Sequence, residues 1–317
     1  MPQAREDAEL FLNLLEMIAD EYYLNGDYVE SIRFCTEGLQ MAEDNLQHRS
    51  AANFHVALAG NLLELDRPGE AFSHYIRAVD ILQEEARKSK LYVAADDYVF
   101  AVGMFVNALC DEGRFEEASR YLPRVEQAIE SLESKEFLPD GLVDIRRASG
   151  YAMFAYIFAN TGDEAKAAEL YRRLCATAYS DVPDARGSLH VPYLLAVGRY
   201  SDALPILKEE DELWKAGLDT VSYDYIDSHL RREVEAYEGI GDIRAANGVY
   251  RSIVQLNDTL RHRDRQALAL ELAEIYKTNE QAMEIERQSA SIAMRNIIII
   301  SAAVFLFLAA LLIDRML

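Results

Sequence analysis

From residue 10 to residue 255 the apolar side chains recur at three- and four-residue steps, the spacing of one helical face. Leu15, Ala19 and Tyr22 form one such stripe, as do Phe105, Val106 and Leu109, Tyr75, Ala78 and Val79, and Tyr171 and Leu174. Ala155 and Phe158, Phe34 and Leu39, and Tyr250 and Ile253 continue the pattern. A short polar phrase interrupts it six times. The phrase reads Gly26-Asp27-Tyr28-Val29-Glu30-Ser31, then Asp66-Arg67-Pro68-Gly69-Glu70-Ala71, then Gly113-Arg114-Phe115-Glu116-Glu117-Ala118. It returns as Gly162-Asp163-Glu164-Ala165-Lys166-Ala167, Gly198-Arg199-Tyr200-Ser201-Asp202-Ala203 and Gly241-Asp242-Ile243-Arg244-Ala245-Ala246. The chemistry of the phrase predicts a helix–turn–helix at each copy. Glycine closes one helix with a left-handed cap, and the polar residue after it starts the next. The ring of Tyr28, Phe115 or Tyr200 fills the corner, and the last small residue lets two helices approach. A single hairpin cannot bury its apolar face, so the pattern predicts stacked hairpins: an all-α solenoid of about six units over residues 8–256.

These residues resemble the tetratricopeptide repeat, whose turn carries a Gly-Asp-Tyr-x-Glu-Ala signature. On that resemblance Gly26, Tyr28, Ala71, Gly113, Phe115, Ala118, Gly162, Ala167, Gly198, Tyr200, Ala203, Gly241 and Ala246 are the structural residues of the turns. The closing small residues lie 40, 47, 49, 36 and 43 residues apart, longer than that family's usual 34-residue spacing, so the copies are degenerate. Glu136–Asp140 and Ser180–Gly187 are read as lengthened connections, and Pro192 as an interruption of the fifth unit's first helix.

Beyond the array, Asn257 to Met294 contains no glycine or proline and reads as one long connector, residues 257–295. Leu268, Leu272 and Ile275 begin a three/four alternation that Asn279, Ala282, Glu286 and Ser289 continue with polar positions. A solvated connector and a weak parallel homodimer seam both fit that pattern. Ile297 to Ile313 then runs apolar except for Ser301, which predicts a membrane span over residues 296–313 and a four-residue tail, 314–317. Its 17 residues reach about 25 Å at the helical rise, and Arg295, Asn296 and Arg315 can snorkel to the interfaces. The lipid bilayer is thus one expected partner. The N-terminus is acidic from Glu6 and lacks the apolar core of a signal peptide. Lys277, Arg287 and Arg295 precede the span, which places the array in the cytoplasm if the chain is complete.

The order of parts carries a second resemblance. Array, Leu272-Ala-Glu-Ile-Tyr-Lys-Thr-Asn-Glu280, charged helix, Arg295-Asn296 and single span look like the sensory half of tetratricopeptide membrane sensors of the Bacteroidetes. That resemblance implies a periplasmic array behind a signal segment and an output module past the span, a histidine kinase or a DNA-binding domain. This chain shows neither.

Composition narrows the function. With 54 acidic against 32 basic residues, a net charge of −22, a nucleic-acid partner is not expected. Cys35, Cys110 and Cys175 form no CxxC pair and sit at apolar beats, as small buried hydrophobes do. No HExxH, GxxxxGK[ST], GxSxG or kinase loop occurs, so no metal, cofactor or catalytic residue is expected. A solenoid of this kind offers a groove lined by the first helix of each hairpin, where the family holds a peptide or partner helix. Aligning the copies puts Asn53, Asn107, Tyr156, Asn160 and Arg231 on that surface. Asn can pair with a peptide backbone, and Tyr and Arg are common anchors. The lysines with which some family members clamp a carboxylate terminus are absent, and Glu16 and Asp20 stand in their places in the first unit, so a basic or neutral partner is expected. The functional expectation is a non-enzymatic, membrane-anchored protein that binds a protein or peptide as the input of a signalling system. A static adaptor without output is the competing reading.

Overall fold

The computed structural model describes residues 2–217 and 220–266, all helix and turn, with no strand among them beyond a lone bridge between Leu91 and Glu136. Helices α1 (Pro2–Leu24) and α2 (Tyr28–Asp44) form the first hairpin, and α3 (His48–Glu64) and α4 (Pro68–Lys88) the second. In the third, α5 (Tyr92–Asp111) is followed by α6 (Phe115–Ser119) and α7 (Leu122–Glu133). The fourth pairs α8 (Leu142–Thr161) with α9 (Glu164–Cys175), and the fifth pairs α10 (Pro183–Ala196) with α11 (Tyr200–Gly217). A short α12 (Tyr223–Tyr225) and a π-helical turn (Ile226–Leu230) lead into α13 (Arg231–Gly239), and residues 243–266 are again helical.

Each of the six phrases falls at the turn inside a hairpin. Gly26, Gly113, Gly162, Gly198 and Gly241 have φ between 69° and 82° there, and Asp66 adopts the same left-handed conformation at 57°. The hydrogen bonds explain why. In the first turn Gly26 N–H donates to Tyr23 C=O and Asp27 N–H to Tyr22 C=O, and the other five repeat this pair. Such crossed bonds satisfy the orphan carbonyls at a helix end only if one residue enters the left-handed region. The small residue closing each phrase is buried in every copy, from Ser31 and Ala71 to Ala246.

The chain divides into two compact units, one of residues 1–220 and 227–249, the other beginning with 221–226 and 250–266. In the first unit the opening helices of successive hairpins lie side by side: α1 beside α3, α3 beside α5, α5 beside α8, α8 beside α10 and α10 beside α13. A continuous core runs from Ala52 to Ala236, joined by an N-terminal cluster around Leu12, Cys35 and Phe54. In the second unit Tyr223 donates to Asp264 at 2.8 Å and Arg263 to the Val221 carbonyl at 3.0 Å.

Three details depart from the sequence pattern. Helix α10 runs through Pro192 without a break. Proline removes the hydrogen bond to the carbonyl four residues back, which belongs to Ser188. Ser188 and Pro192 both face open space, so water can serve that carbonyl. Of the segment 180–187, most is ordered helix: a 3-10 turn (Ala178–Asp181) followed by α10, with Pro183 in its first turn. The third hairpin's return helix is split at Arg120–Tyr121, because Pro123 cannot donate to the carbonyl of Ser119.

The connector beyond residue 266, the 272–280 phrase, the apolar run 297–313, the tail and the connector homodimer seam lie outside the described residues. Among the described residues one helix, α5, is long and apolar enough to cross a membrane by length and composition. Ten of its residues, among them Val102, Val106 and Leu109, are buried in the protein core.

Candidate functional site

Helices α5, α8, α10 and α13 share an open cavity of about 690 Å³ on the side lined by the hairpins' opening helices. Its apolar surface comes from Phe100, Met104, Met153, Leu189, Pro192 and Leu195, and its polar groups from Asn107, Asp111, Tyr156, Asn160, Arg232 and Glu235. The helical period builds this surface. Phe100, Gly103, Met104, Asn107 and Asp111 lie three and four apart on α5, and Ser149, Gly150, Met153, Tyr156 and Asn160 do the same on α8. Gly103 and Gly150 withhold side chains from the middle of the two helices and so help to keep the space open.

Tyr156 stands at the centre. Its ring packs edge-on against Phe115, centroids 5.6 Å apart, so a corner aromatic of the third turn positions a cavity residue of the next hairpin. Burial raises the pKa of the Tyr156 phenol, and the Cys110 thiol, Asp111 and Glu235 raise it further. Asp111 and Glu235 are themselves raised, chiefly by desolvation, and make no ion pair among the described residues. Two carboxylates with reduced access to water therefore flank an aromatic ring, and Arg232 beside Glu235 offsets only part of that charge. Arg146 also lines the cavity but is already committed. Its guanidinium holds the Asp96 carboxylate through two bonds, 2.7 and 2.9 Å, and so ties α8 to α5. Arg49 and Asp97, 2.5 Å apart, tie α3 to α5 in the same way. Neither pair was visible in the sequence, because both span about fifty residues.

Of the residues the sequence placed on this surface, Asn107, Tyr156 and Asn160 line the cavity. Asn160 is partly engaged, its amide donating to the Tyr156 carbonyl at 2.9 Å. Asn53 lies two hairpins away from α8, on α3, where it hydrogen-bonds Glu16 and moderates the rise that burial imposes on that carboxyl. Arg231 is exposed and pairs with Asp227 at 2.5 Å; Arg232, one residue and 100° further round α13, takes the place in the cavity. Asp111, Glu235 and Arg146 escaped the sequence reading because an exposed charge on a helix is usually only a solvated face.

The site offers little for catalysis. The Cys110 thiol is pushed up to about 12 by burial and the neighbouring Asp111, so it stays protonated and weakly nucleophilic. Among the described residues no group of three His, Cys, Asp or Glu side chains is arranged to hold a metal ion. Elsewhere, His55 on α3 meets His74 on α4, Nδ1 to Nδ1 at 2.8 Å, and His190 bonds Tyr171 and the Ser180 carbonyl. Both are links inside the array, away from the cavity.

No protein-family model matches the sequence, and no curated protein sequence matches it. Solved structures do. A Rap protein complexed with Competence and Sporulation Factor superposes with a TM-score of 0.59 at 17% identity, over 82% of this chain and 66% of that one. Aspartyl phosphate phosphatase F from Bacillus subtilis gives 0.57 at 16% identity, over 80% and 60%. The Rap conjugation gene regulator of plasmid pLS20, in complex with the Phr* peptide, gives 0.50 at 14% identity, over 83% and 78%. The fold is a tetratricopeptide-like helical array. This chain spans less than two thirds of the length of the first two structures it resembles.

Proposed function

We propose that this protein is a non-enzymatic receptor for a peptide or a peptide-like segment of a partner protein, held in the cavity between α5, α8, α10 and α13. The observation that carries the reading is the cavity's make-up: an apolar lining, amides at Asn107 and Asn160, and two unpaired carboxylates around Tyr156. Amides can pair with an extended backbone, the lining can take an aliphatic side chain, and Asp111 and Glu235 can hold an ammonium or guanidinium over the phenol ring. A ligand with one cationic and one apolar side chain in sequence fits best. Two of the like-folded proteins were solved with Competence and Sporulation Factor and with the Phr* peptide, which supports a peptide as the class of ligand.

The apolar run Ile297–Ile313 makes the array a membrane-anchored receptor, and the helical segment that starts at residue 243 is the route by which occupancy would reach the bilayer. The test is selection of random peptides on the full chain in nanodiscs. Enriched peptides should carry Lys or Arg beside an aliphatic residue. Their affinity should fall about tenfold or more in Asp111→Asn, Glu235→Gln and Tyr156→Ala, as expected when a partly desolvated charge contact is lost. No enrichment, or enrichment indifferent to all three substitutions, would remove the reading.

A further inference from the structure

Helix α1 is apolar on two sides. One side, Ala8, Leu12, Leu15 and Ala19, is buried against the rest of the array. The other carries Leu10, Phe11, Leu14, Met17 and Ile18, which are 39–68% exposed. At 100° per residue these five fill one continuous arc of about 120° on the helix surface. Glu9, Asn13, Glu16 and Asp20 form a separate polar stripe, so the acidic residues leave this arc clear.

The arc is a repeat interface without its neighbour. Superposing the turns, Gly26 on Asp66 and on Gly113, makes Phe11, Leu14 and Ile18 the counterparts of Ala51, Phe54 and Leu58 on α3, and of Tyr98, Ala101 and Phe105 on α5. All six counterparts are buried, at 5% exposure or less. They pack on the preceding hairpin: Phe54 fills the space over Gly38 of α2, and Phe105 meets Phe72 and Tyr75 of α4 at 5.8 and 5.9 Å. Repeat arrays need polar end caps to stay soluble. The first helix here presents its stacking face to solvent instead, and such a patch marks an association surface.

The spacing says what covers it. Leu10, Phe11, Leu14, Met17 and Ile18 stand at −4, −3, 0, +3 and +4 relative to Leu14, a pattern that reads the same in both directions. We propose that two copies of this chain pair through α1, antiparallel about a two-fold axis at Leu14. Leu14 then meets its own copy, Leu10 meets the other chain's Ile18, and Phe11 meets the other chain's Met17, the reciprocal contacts a two-fold interface requires. This pairing is independent of the ligand reading above and of the connector seam.

Disulfide crosslinking of the full chain in membranes from expressing cells, in a Cys110→Ser, Cys175→Ser background, tests it. Leu14→Cys should give a covalent dimer on oxidation. Leu10→Cys and Ile18→Cys should each give little alone and crosslink when the two variants are co-expressed, because like residues at those positions lie about 12 Å apart along the axis. Leu14→Glu should raise the dimer dissociation constant at least 100-fold in nonionic detergent, with an unchanged helical CD spectrum; Met17→Glu serves if Leu14→Glu does not fold. Crosslinking of Leu10→Cys alone as efficient as that of Leu14→Cys would overturn the antiparallel pairing. A chain that is monomeric, or a dimer that survives both glutamates, would overturn the interface and leave the stripe to a different partner.

Discussion

Backbone conformation at single residues decides how the hairpins join. Leu46, between α2 and α3, has φ 55° and makes the same crossed bonds as the six phrases: its N–H to Glu43 C=O and Gln47 N–H to Ala42 C=O. No glycine marks this turn, so the sequence pattern passed over it. An L-residue costs roughly 1 kcal/mol in this conformation, and the Leu46 side chain is exposed. Leu46→Gly should therefore raise stability by about 1 kcal/mol, read as a higher urea midpoint with an unchanged m value. The opposite holds at Gly38, where a methyl group would run into the Phe54 ring. Gly38→Ala should cost about 2 kcal/mol by overpacking, despite alanine's better helix propensity. A third residue-scale effect is acid sensitivity. Burial, then His74 and Arg77, lower the His55 pKa to about 4, and burial and Arg77 lower that of His74. A histidine lowered in the folded state favours folding above its unfolded pKa and loses that contribution as pH falls. Stability should thus decline between about pH 6.5 and 4, at up to roughly 1.4 kcal/mol per unit for each histidine. Protonation of Asp111 and Glu235, raised by burial, works the other way. The measurement is therefore the difference between wild type and His55→Leu across that range, which should narrow as the pH drops.

At the level of the helices, the aromatic residue of a turn reaches forward to the next hairpin. Tyr28 donates to Glu64 of α3 at 3.3 Å, Phe115 packs on Tyr156 of α8, and the Tyr200 ring occupies the space that a side chain at Gly239 of α13 would need. The rings therefore set the distance between successive hairpins as well as filling their own corners. Phe115→Ala should lower stability by about 2 kcal/mol, since its half-buried ring leaves a gap beneath Tyr156. It should also weaken the peptide affinity proposed for the cavity. Phe115→Leu should recover most of the stability but not the ring contact, so a melting curve and a binding isotherm on the two variants separate the effects.

For the molecule as a whole, stability in such an array is close to a sum over neighbouring units, because each hairpin touches mainly the ones beside it. The ion pairs Arg49–Asp97 and Arg146–Asp96 add links between opening helices on the same side as the cavity. Anchoring belongs to this scale as well. Seventeen residues with one hydroxyl are long enough to hold the chain in a bilayer with snorkelling flanks. Deleting residues 297–313 should move the protein from the carbonate-resistant membrane fraction to the soluble one, and a chain that stays soluble with the segment intact would count against the span.

Much of the fold could be read from the chain because its signals are local. Six turn phrases and the helical spacing around them depend on residues a few positions apart, and a left-handed cap or an apolar stripe needs no distant partner. The phrases lie at the six turns, and Asn107, Tyr156 and Asn160, chosen by aligning copies, line the cavity. What the sequence could not supply depends on contacts between hairpins. Pro192 looks like a helix breaker until open space beside it frees the Ser188 carbonyl for water. Arg232 and not Arg231 enters the cavity, because the rotation of α13 is set by its packing on α10 and α11. Asp111 and Glu235 look like any solvated acid until stacking draws them to either side of Tyr156. The exposed arc of α1 looks like one more core stripe, and only the stacked array shows that no neighbouring hairpin among the described residues covers it. Local periodicity fixes helices and turns; which side chains converge, and which face is left open, is decided by how the hairpins lie against each other.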